Sequence, residues 1–265
     1  MRVKSLLSRL SPLPHLRLSL WAPFLIGWML RQRNQVVPCA LPACRELLRI
    51  PLDDFYRSFY FFSETRQGRN ELSFFLDRLR SNEVLYDVGG YRGAYSAAAK
   101  ARSRAGVSVH VFEPVASNYE AIRRISEVNH FSDFQIIPLA AAEGNQLQGA
   151  IGDEDRVFHS GDRTAQTVDL PAISLDSYIA RGAPAPTVMK VDVDGFELAV
   201  LRGAKSCLLK HRPHLWLEVH PGYLQNQGSS QEEVLGFLRE IGYTVTPFVD
   251  SAIPEAATAY HVWCE

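Results

Sequence analysis

From residue 84 onward, short β-branched and aromatic runs alternate with stretches of helical period, and that alternation leaves few folds open. Strands separated by helix-length crossovers lie parallel, with helices on both faces of one α/β sheet. The pattern predicts strands near 84–88, 108–113, 134–139, 187–192, 214–220, 243–249 and 259–264. Helices are expected near 94–105, 116–129, 196–204 and 230–241. A segment with Pro254 and no helical period joins the last two strands, so these should pair antiparallel at one edge of a mostly parallel sheet. Residues 81–265 then form the main domain, and residues 1–80 a mainly helical N-terminal extension or cap.

The stretch 144–172 interrupts the pattern. Gly144, Gly149, Gly152 and Gly161, with the acidic run Asp153, Glu154 and Asp155, read as loops or a small hairpin insertion, expected to be mobile and near a substrate entrance. Pocket walls are expected from this stretch and from residues 50–80, where Phe55, Tyr56, Phe59, Tyr60, Phe61 and Phe62 cluster. Such aromatics either cover the face of a sugar or lipid or pack against the sheet.

Charge narrows the partners. The chain has 28 Lys/Arg and 29 Asp/Glu, and residues 1–50 hold 8 of the bases but 1 of the acids, leaving 20 against 28 behind them. An acidic main domain is a poor match to a phosphate backbone, so no nucleic acid partner is expected. Cys39, Cys44, Cys207 and Cys264 form neither a CxxC pair nor a disulfide framework, which points to a reducing, cytoplasmic setting. The apolar run Leu18 to Leu30 has 13 residues, with Pro23 and Gly27 inside it, against the roughly 20 that a spanning helix needs. Arg31 and Arg33 follow it directly, unlike the end of a signal peptide. The run reads as a helix docked on the main domain or, with basic residues flanking Trp21, Phe24 and Trp28, as a peripheral membrane contact through residues 1–33.

Two constellations carry chemistry. In the first, Val84-Leu85-Tyr86-Asp87-Val88 runs into Gly89-Gly90-Tyr91-Arg92-Gly93 and then a helical stretch. Gly89 and Gly90 would let the backbone approach a ligand with no Cβ in the way, and Gly93 would let the helix pack close to the strand. The spacing is neither G-x-G-x-x-G nor a P-loop, which disfavours dinucleotides and nucleoside triphosphates. A ligand with a cationic amino acid end near Asp87 and an adenosine beyond it fits better. Glu113, at the carboxyl end of the next strand, can accept hydrogen bonds from ribose hydroxyls.

In the second, Lys190, Asp192 and Asp194 alternate along a predicted inner strand that breaks at Gly195. Charges there are costly unless they pair or act. Two readings stand: Lys190 as an ion-pair partner with Asp194 as a helix cap, or all three as a site, since open α/β sheets bind ligands at the carboxyl ends of their strands. Glu218 and His220 share a face at the end of another strand, and a histidine beside carboxylates is a candidate proton acceptor.

Taken together, Asp87 to Gly93, Phe112-Glu113-Pro114 with Asn118, Ile173-Ser174-Leu175-Asp176, Met189 to Glu197 and Leu217-Glu218-Val219-His220 resemble the FkbM-type S-adenosylmethionine-dependent methyltransferases, over about residues 83 to 250. The Lys-x-Asp-x-Asp-Gly-Phe-Glu segment is the specific part. Two departures stand out: Gly89-Gly90-Tyr91 where the family usually has Gly-Ala-Asn, and Asp194 where it usually has Glu, one methylene longer. The resemblance implies a seven-stranded class I (Rossmann-like) methyltransferase sheet in residues 81–265. It also implies S-adenosylmethionine across the ends of the first strands, and methyl transfer to a hydroxyl of a small molecule, sugar or glycolipid.

On that implication the cofactor carries the activation, and the protein orients the acceptor and takes its proton. Asp192 or His220 is expected as base, Lys190 as the cation facing developing negative charge, and Glu218 as an orienting group; Asp87, Gly89, Gly90, Gly93 and Glu113 are expected to bind the cofactor. A divalent cation on Asp192, Asp194 and Glu218 is an alternative that no ligand spacing demands. Two other classes compete: a methyltransferase-like domain that binds without reacting, and a dehydrogenase using an adenine dinucleotide at the same turn.

Overall fold

The computed structural model describes residues 35–102, 106–151, 157–158, 167–250 and 259–265. The basic and apolar run at 1–33, the acidic run 153–155 and Pro254 lie outside these residues. Apolar side chains on both sides of the central strands dictate a sheet covered on both faces. Strands β3 (Val84–Val88), β4 (Ser108–Phe112), β5 (Phe134–Ile137), β10 (Val188–Val191), β11 (His214–Val219), β12 (Val245–Pro247) and β13 (Tyr260–Cys264) form it, in the order β12-β13-β11-β10-β3-β4-β5. The five strands from β11 to β5 run parallel, and β13 pairs antiparallel with both β11 and β12. Each predicted strand is present within a few residues, including the antiparallel edge.

Two apolar cores follow from the pleat. Leu85, Val109, Val111, Val188 and Trp216 face one way; Tyr86, Val88, Met189, Val191 and Leu217 face the other. On the first face lie α2 (Ala94–Arg102) and α3 (Ala116–Asn129), matching the expected 94–105 and 116–129. Helix α3 stops where His130 turns left-handed at φ 55°. The second face is covered by α4 (Leu175–Ala180), α5 (Glu197–Gly203), α6 (Lys205–His211) and α8 (Gln231–Glu240). The short α7 (Pro221–Asn226) follows β11. Ser230 and Glu233 close a capping box at the start of α8.

Residues 35–80 are not purely helical. A β-hairpin of β1 (Val36–Cys39) and β2 (Leu48–Pro51) precedes short helical turns at Leu52–Asp54 and Tyr60–Glu64, which flank the π-helical Phe55–Phe59, and then α1 (Arg66–Arg78). Cys39, Ile50, Phe59, Leu72 and Phe75 share the first core with the sheet, so this segment packs as part of the same body. The stretch after 140 holds a second sheet: β6 (Ala140–Ala141), β7 (Gln146–Ile151), β8 (Val157–Phe158) and β9 (Thr167–Ile173), in the order β6-β9-β7-β8. The hairpin insertion anticipated there is real; its tips at 152–156 and 159–166 lie outside the described residues.

Candidate active site

Chain order reverses between β3 and β10: the chain leaves β3 for β4 and β5 on one side and returns to β10 on the other. Crossovers leaving in opposite directions open a crevice at the carboxyl ends of these strands. A cavity of about 270 Å³ lies there, near the lower end of the range of about 300–1,000 Å³ for small-molecule sites. Gly89, Gly90 and Tyr91 line it, with Glu113 after β4 and Lys190, Asp192 and Asp194 at β10 and just beyond. The extension supplies Arg57, Ser58, Phe61 and Phe62, and the second sheet Leu147 and Val157, so both expected walls are present. The aromatic cluster divides its roles: Phe59 is in the core, whereas Phe61 and Phe62 face the cavity.

The glycine turn is built for close packing as much as for a ligand. Gly89 sits at φ +77°, and a Cβ there would lie 1.8 Å from the Asp192 carbonyl oxygen. Gly90 abuts Val111, 2.2 Å from where its Cβ would be. The amides of both glycines donate to the Phe112 carbonyl at 3.1 and 3.2 Å, which folds the turn over the end of β4. Gly93 does not border the cavity; it opens α2, its carbonyl accepting from Ala97.

Glu113 faces the cavity but is only 4% exposed. Its Oε2 accepts from the Tyr91 amide at 2.8 Å, and its Oε1 from the Val115 amide at 2.9 Å and Asn118 Nδ2 at 3.3 Å. Burial pushes its pKa up to about 7, against the pull of these donors and the Lys190 charge. A carboxylate has about four lone-pair sites, so three donors leave one on Oε2, which suits a ribose hydroxyl. A buried acceptor held rigid beside a turn with no side chain in the way fits an adenosine sugar.

Asp87 lies elsewhere. It is 1% exposed, away from the cavity wall, accepts from Ser96 Oγ at 2.5 Å and pairs with Lys190 Nζ at 3.3 Å. The pleat of β3 turns it toward α2, so any influence on a ligand passes through Lys190. That lysine donates to the Gly89 carbonyl at 2.6 Å and pairs with Asp192 Oδ2 at 3.2 Å. Burial disfavours its charge, but Asp192, Asp87 and Glu218 outweigh that and raise its pKa. Bonded to the Gly89 carbonyl and ion-paired with Asp192 and Asp87, Lys190 clamps the glycine turn to β10 and steadies Asp192.

Asp194 is off the strand: β10 ends at Val191, and Asp194 adopts φ +46° in the turn before α5, whose N-cap position is Phe196. Glu218 and His220 converge behind Asp192 without lining the cavity. His220 Nε2 lies 3.4 Å from Asp194, 3.6 Å from Glu218 Oε1 and 3.9 Å from Asp192 Oδ1, while its Nδ1 meets Glu197 Oε1 at 2.8 Å. Burial opposes the imidazolium, yet Glu197, Asp192, Glu218 and Asp194 raise its pKa to about 9. The network runs on to residues that sequence reasoning did not single out. His261, stacked on Trp216 with ring centroids 4.5 Å apart, approaches Glu218 Oε2 at 3.4 Å and Glu71 at 4.0 Å. The signal for Glu71 was an acid beside the buried stripe Leu72, Phe75 and Leu76.

The family model described as the methyltransferase FkbM domain matches residues 87–245, well over half the chain. The chain belongs to the FkbM methyltransferase family. The hexuronic acid methyltransferase AglP of Haloferax volcanii is 25% identical over 163 residues, which span 60% of this chain and 65% of that protein, just under two thirds of its length. The crystal structure of the FkbM methyltransferase from Methylobacillus flagellatus superposes with a TM-score of 0.51 at 18% identity, covering 93% of this chain and 60% of that one. The latter likeness is one of fold: a class I methyltransferase sheet. Among the described residues no helix of this FkbM protein is long and apolar enough to cross a membrane.

Proposed function

We propose that this FkbM chain methylates a hydroxyl oxygen of a sugar-type acceptor. The observation that carries the reading is that Asp192 borders the same cavity as Gly89, Gly90 and Glu113, placing a carboxylate beside the cofactor's expected seat. S-adenosylmethionine, when bound, supplies a methyl group on a cationic sulfur; Glu113, Gly89 and Gly90 would hold its nucleoside. A neutral alcohol attacking that carbon must shed its proton, and Asp192 takes it, steadied on Oδ2 by Lys190. His220 and Glu218 stand behind Asp192 as orienting groups, since neither reaches the cavity wall. The relative's name, a hexuronic acid methyltransferase, favours an acidic sugar. Arg57 and Lys190 are the cations lining the cavity among the described residues, and Arg57, on the wall given by the extension, is the one assigned to a sugar carboxylate.

The test is transfer of labelled methyl from S-adenosylmethionine to a panel of hexuronic acids and neutral sugars, with calorimetry of the demethylated cofactor alongside. Asp192→Asn should bind the demethylated cofactor like the parent and lose about 10²–10⁴-fold in turnover, the usual worth of a general base. Unchanged turnover in that variant, or no transfer to any hydroxyl by a chain that binds the cofactor, would overturn the reading.

A further inference from the structure

Asp192, Glu218 and His220 each offer one ligand atom to a common point, and these atoms lie within 4.8 Å of one another. We infer that they form a binding site for one divalent cation of the manganese or magnesium class, behind the wall that Asp192 gives to the cavity. The two carboxylates come from different strand ends: Asp192 follows β10, and Glu218 lies in β11 with His220 just after it. The imidazole nitrogen stands 3.6 and 3.9 Å from the two carboxylate oxygens. Ligands about 2.1–2.3 Å from a shared ion lie about 3–3.7 Å apart when cis or tetrahedral, so little movement is needed to close on one.

The anchoring of each residue's other atom is independent of that convergence. Asp192 Oδ2 is taken by Lys190 at 3.2 Å, Glu218 Oε2 by His261 Nε2 at 3.4 Å and His220 Nδ1 by Glu197 Oε1 at 2.8 Å. Asp192 Oδ1 and Glu218 Oε1 both lie toward His220 Nε2, which also has Asp194 Oδ1 at 3.4 Å. A carboxylate behind a ligating histidine, fixing ring and tautomer, is the usual outer shell of a metal site. Glu197 is wholly buried, and its Oε2 has no hydrogen-bond partner among the described residues. Around Lys190, His220 and His261 stand Glu71, Asp87, Asp192, Asp194, Glu197 and Glu218. One nitrogen and two carboxylate oxygens favour manganese or magnesium over a thiophilic metal.

A cation there would fix the Asp192 carboxylate at the cavity wall, on the side away from the acceptor. That role rests on the methyl-transfer reading; the binding does not. The experiment is titration of manganese into the metal-free full-length chain, followed by the electron paramagnetic resonance of free manganese. One ion per chain, displaced by magnesium, is expected. Glu218→Gln and His220→Ala should each weaken binding at least tenfold, and Glu197→Gln, one shell out, by about 10–100-fold. Glu232→Gln, at an exposed position on α8, should leave it unchanged. Circular dichroism melts establish that each variant is folded, and Glu218→Gln, a neutral isostere at a partly exposed position, is the decisive one. No binding by the parent chain, or binding undiminished in folded Glu218→Gln, overturns the inference. Calorimetry of the demethylated cofactor on the same samples separates the two readings: a chain that binds manganese but no cofactor keeps the metal site and loses the methyl-transfer reading.

Discussion

Replacing Glu113 by Gln removes a buried titration whose size can be worked out. Burial holds the Glu113 carboxyl near pKa 7 in the folded chain, against 4.5 for the ordinary group. The folded state therefore prefers the protonated form. Its contribution to stability is fully present below about pH 4.5 and is lost as pH rises through about 7. The whole shift is worth about 3 kcal/mol at about 1.4 kcal/mol per unit. Between about pH 5.5 and about pH 8.5 the parent should lose about 2 kcal/mol relative to Glu113→Gln. The amide also surrenders the hydrogen bond from the Tyr91 amide, but that cost, of order 1 kcal/mol, does not vary with pH. Urea unfolding of both cofactor-free proteins across this range measures the gap. A stability difference that stays constant with pH would show that Glu113 is ionised throughout and that its burial is fully compensated by its three donors. Ribose hydroxyls donate to the ionised form, so affinity of the parent for the demethylated cofactor should rise with pH through about 7.

Two further outcomes follow from the site. Arg57→Ala should raise KM for a hexuronic acid several-fold while leaving KM for the matching neutral sugar nearly unchanged, read from initial rates with both acceptors. Lys190→Met removes the cation between Asp87 and Asp192 and leaves Asp87 buried without a counter-charge, so it should cost about 3–5 kcal/mol, seen as a fall in denaturation midpoint. A variant as stable as the parent would mean that Asp87 takes up a proton at little cost.

The main sheet was legible because two periods alternate along the chain. Runs such as Val84–Val88 and Ser108–Phe112 are buried on both faces, and Ala116–Asn129 carries a clean helical stripe. The hairpin Val36–Cys39 with Leu48–Pro51 was not, because four-residue strands carrying Pro38 and Pro51 are too short to show a period of two. The charged motifs at 190–194 and 218–220 lie at neighbouring strand ends, yet their partners Glu71 and His261 arrive from α1 and β13, far away along the chain. Asp87 differs in kind. Position alone suggested a ligand contact, but the pleat of β3 turned it inward to Lys190.

The sequence by itself determined the α/β layering, the glycine turn after β3 and the acids at the strand ends, since each follows from local period or from a backbone conformation that only glycine takes easily. Tertiary structure decided which charges share a site. Lys190 meets Asp87 only because β10 returns beside β3, and His220 meets Asp192 only because β10 and β11 run parallel and end together. Those distances arise from sheet order, a property of the folded chain that no window of neighbouring residues contains.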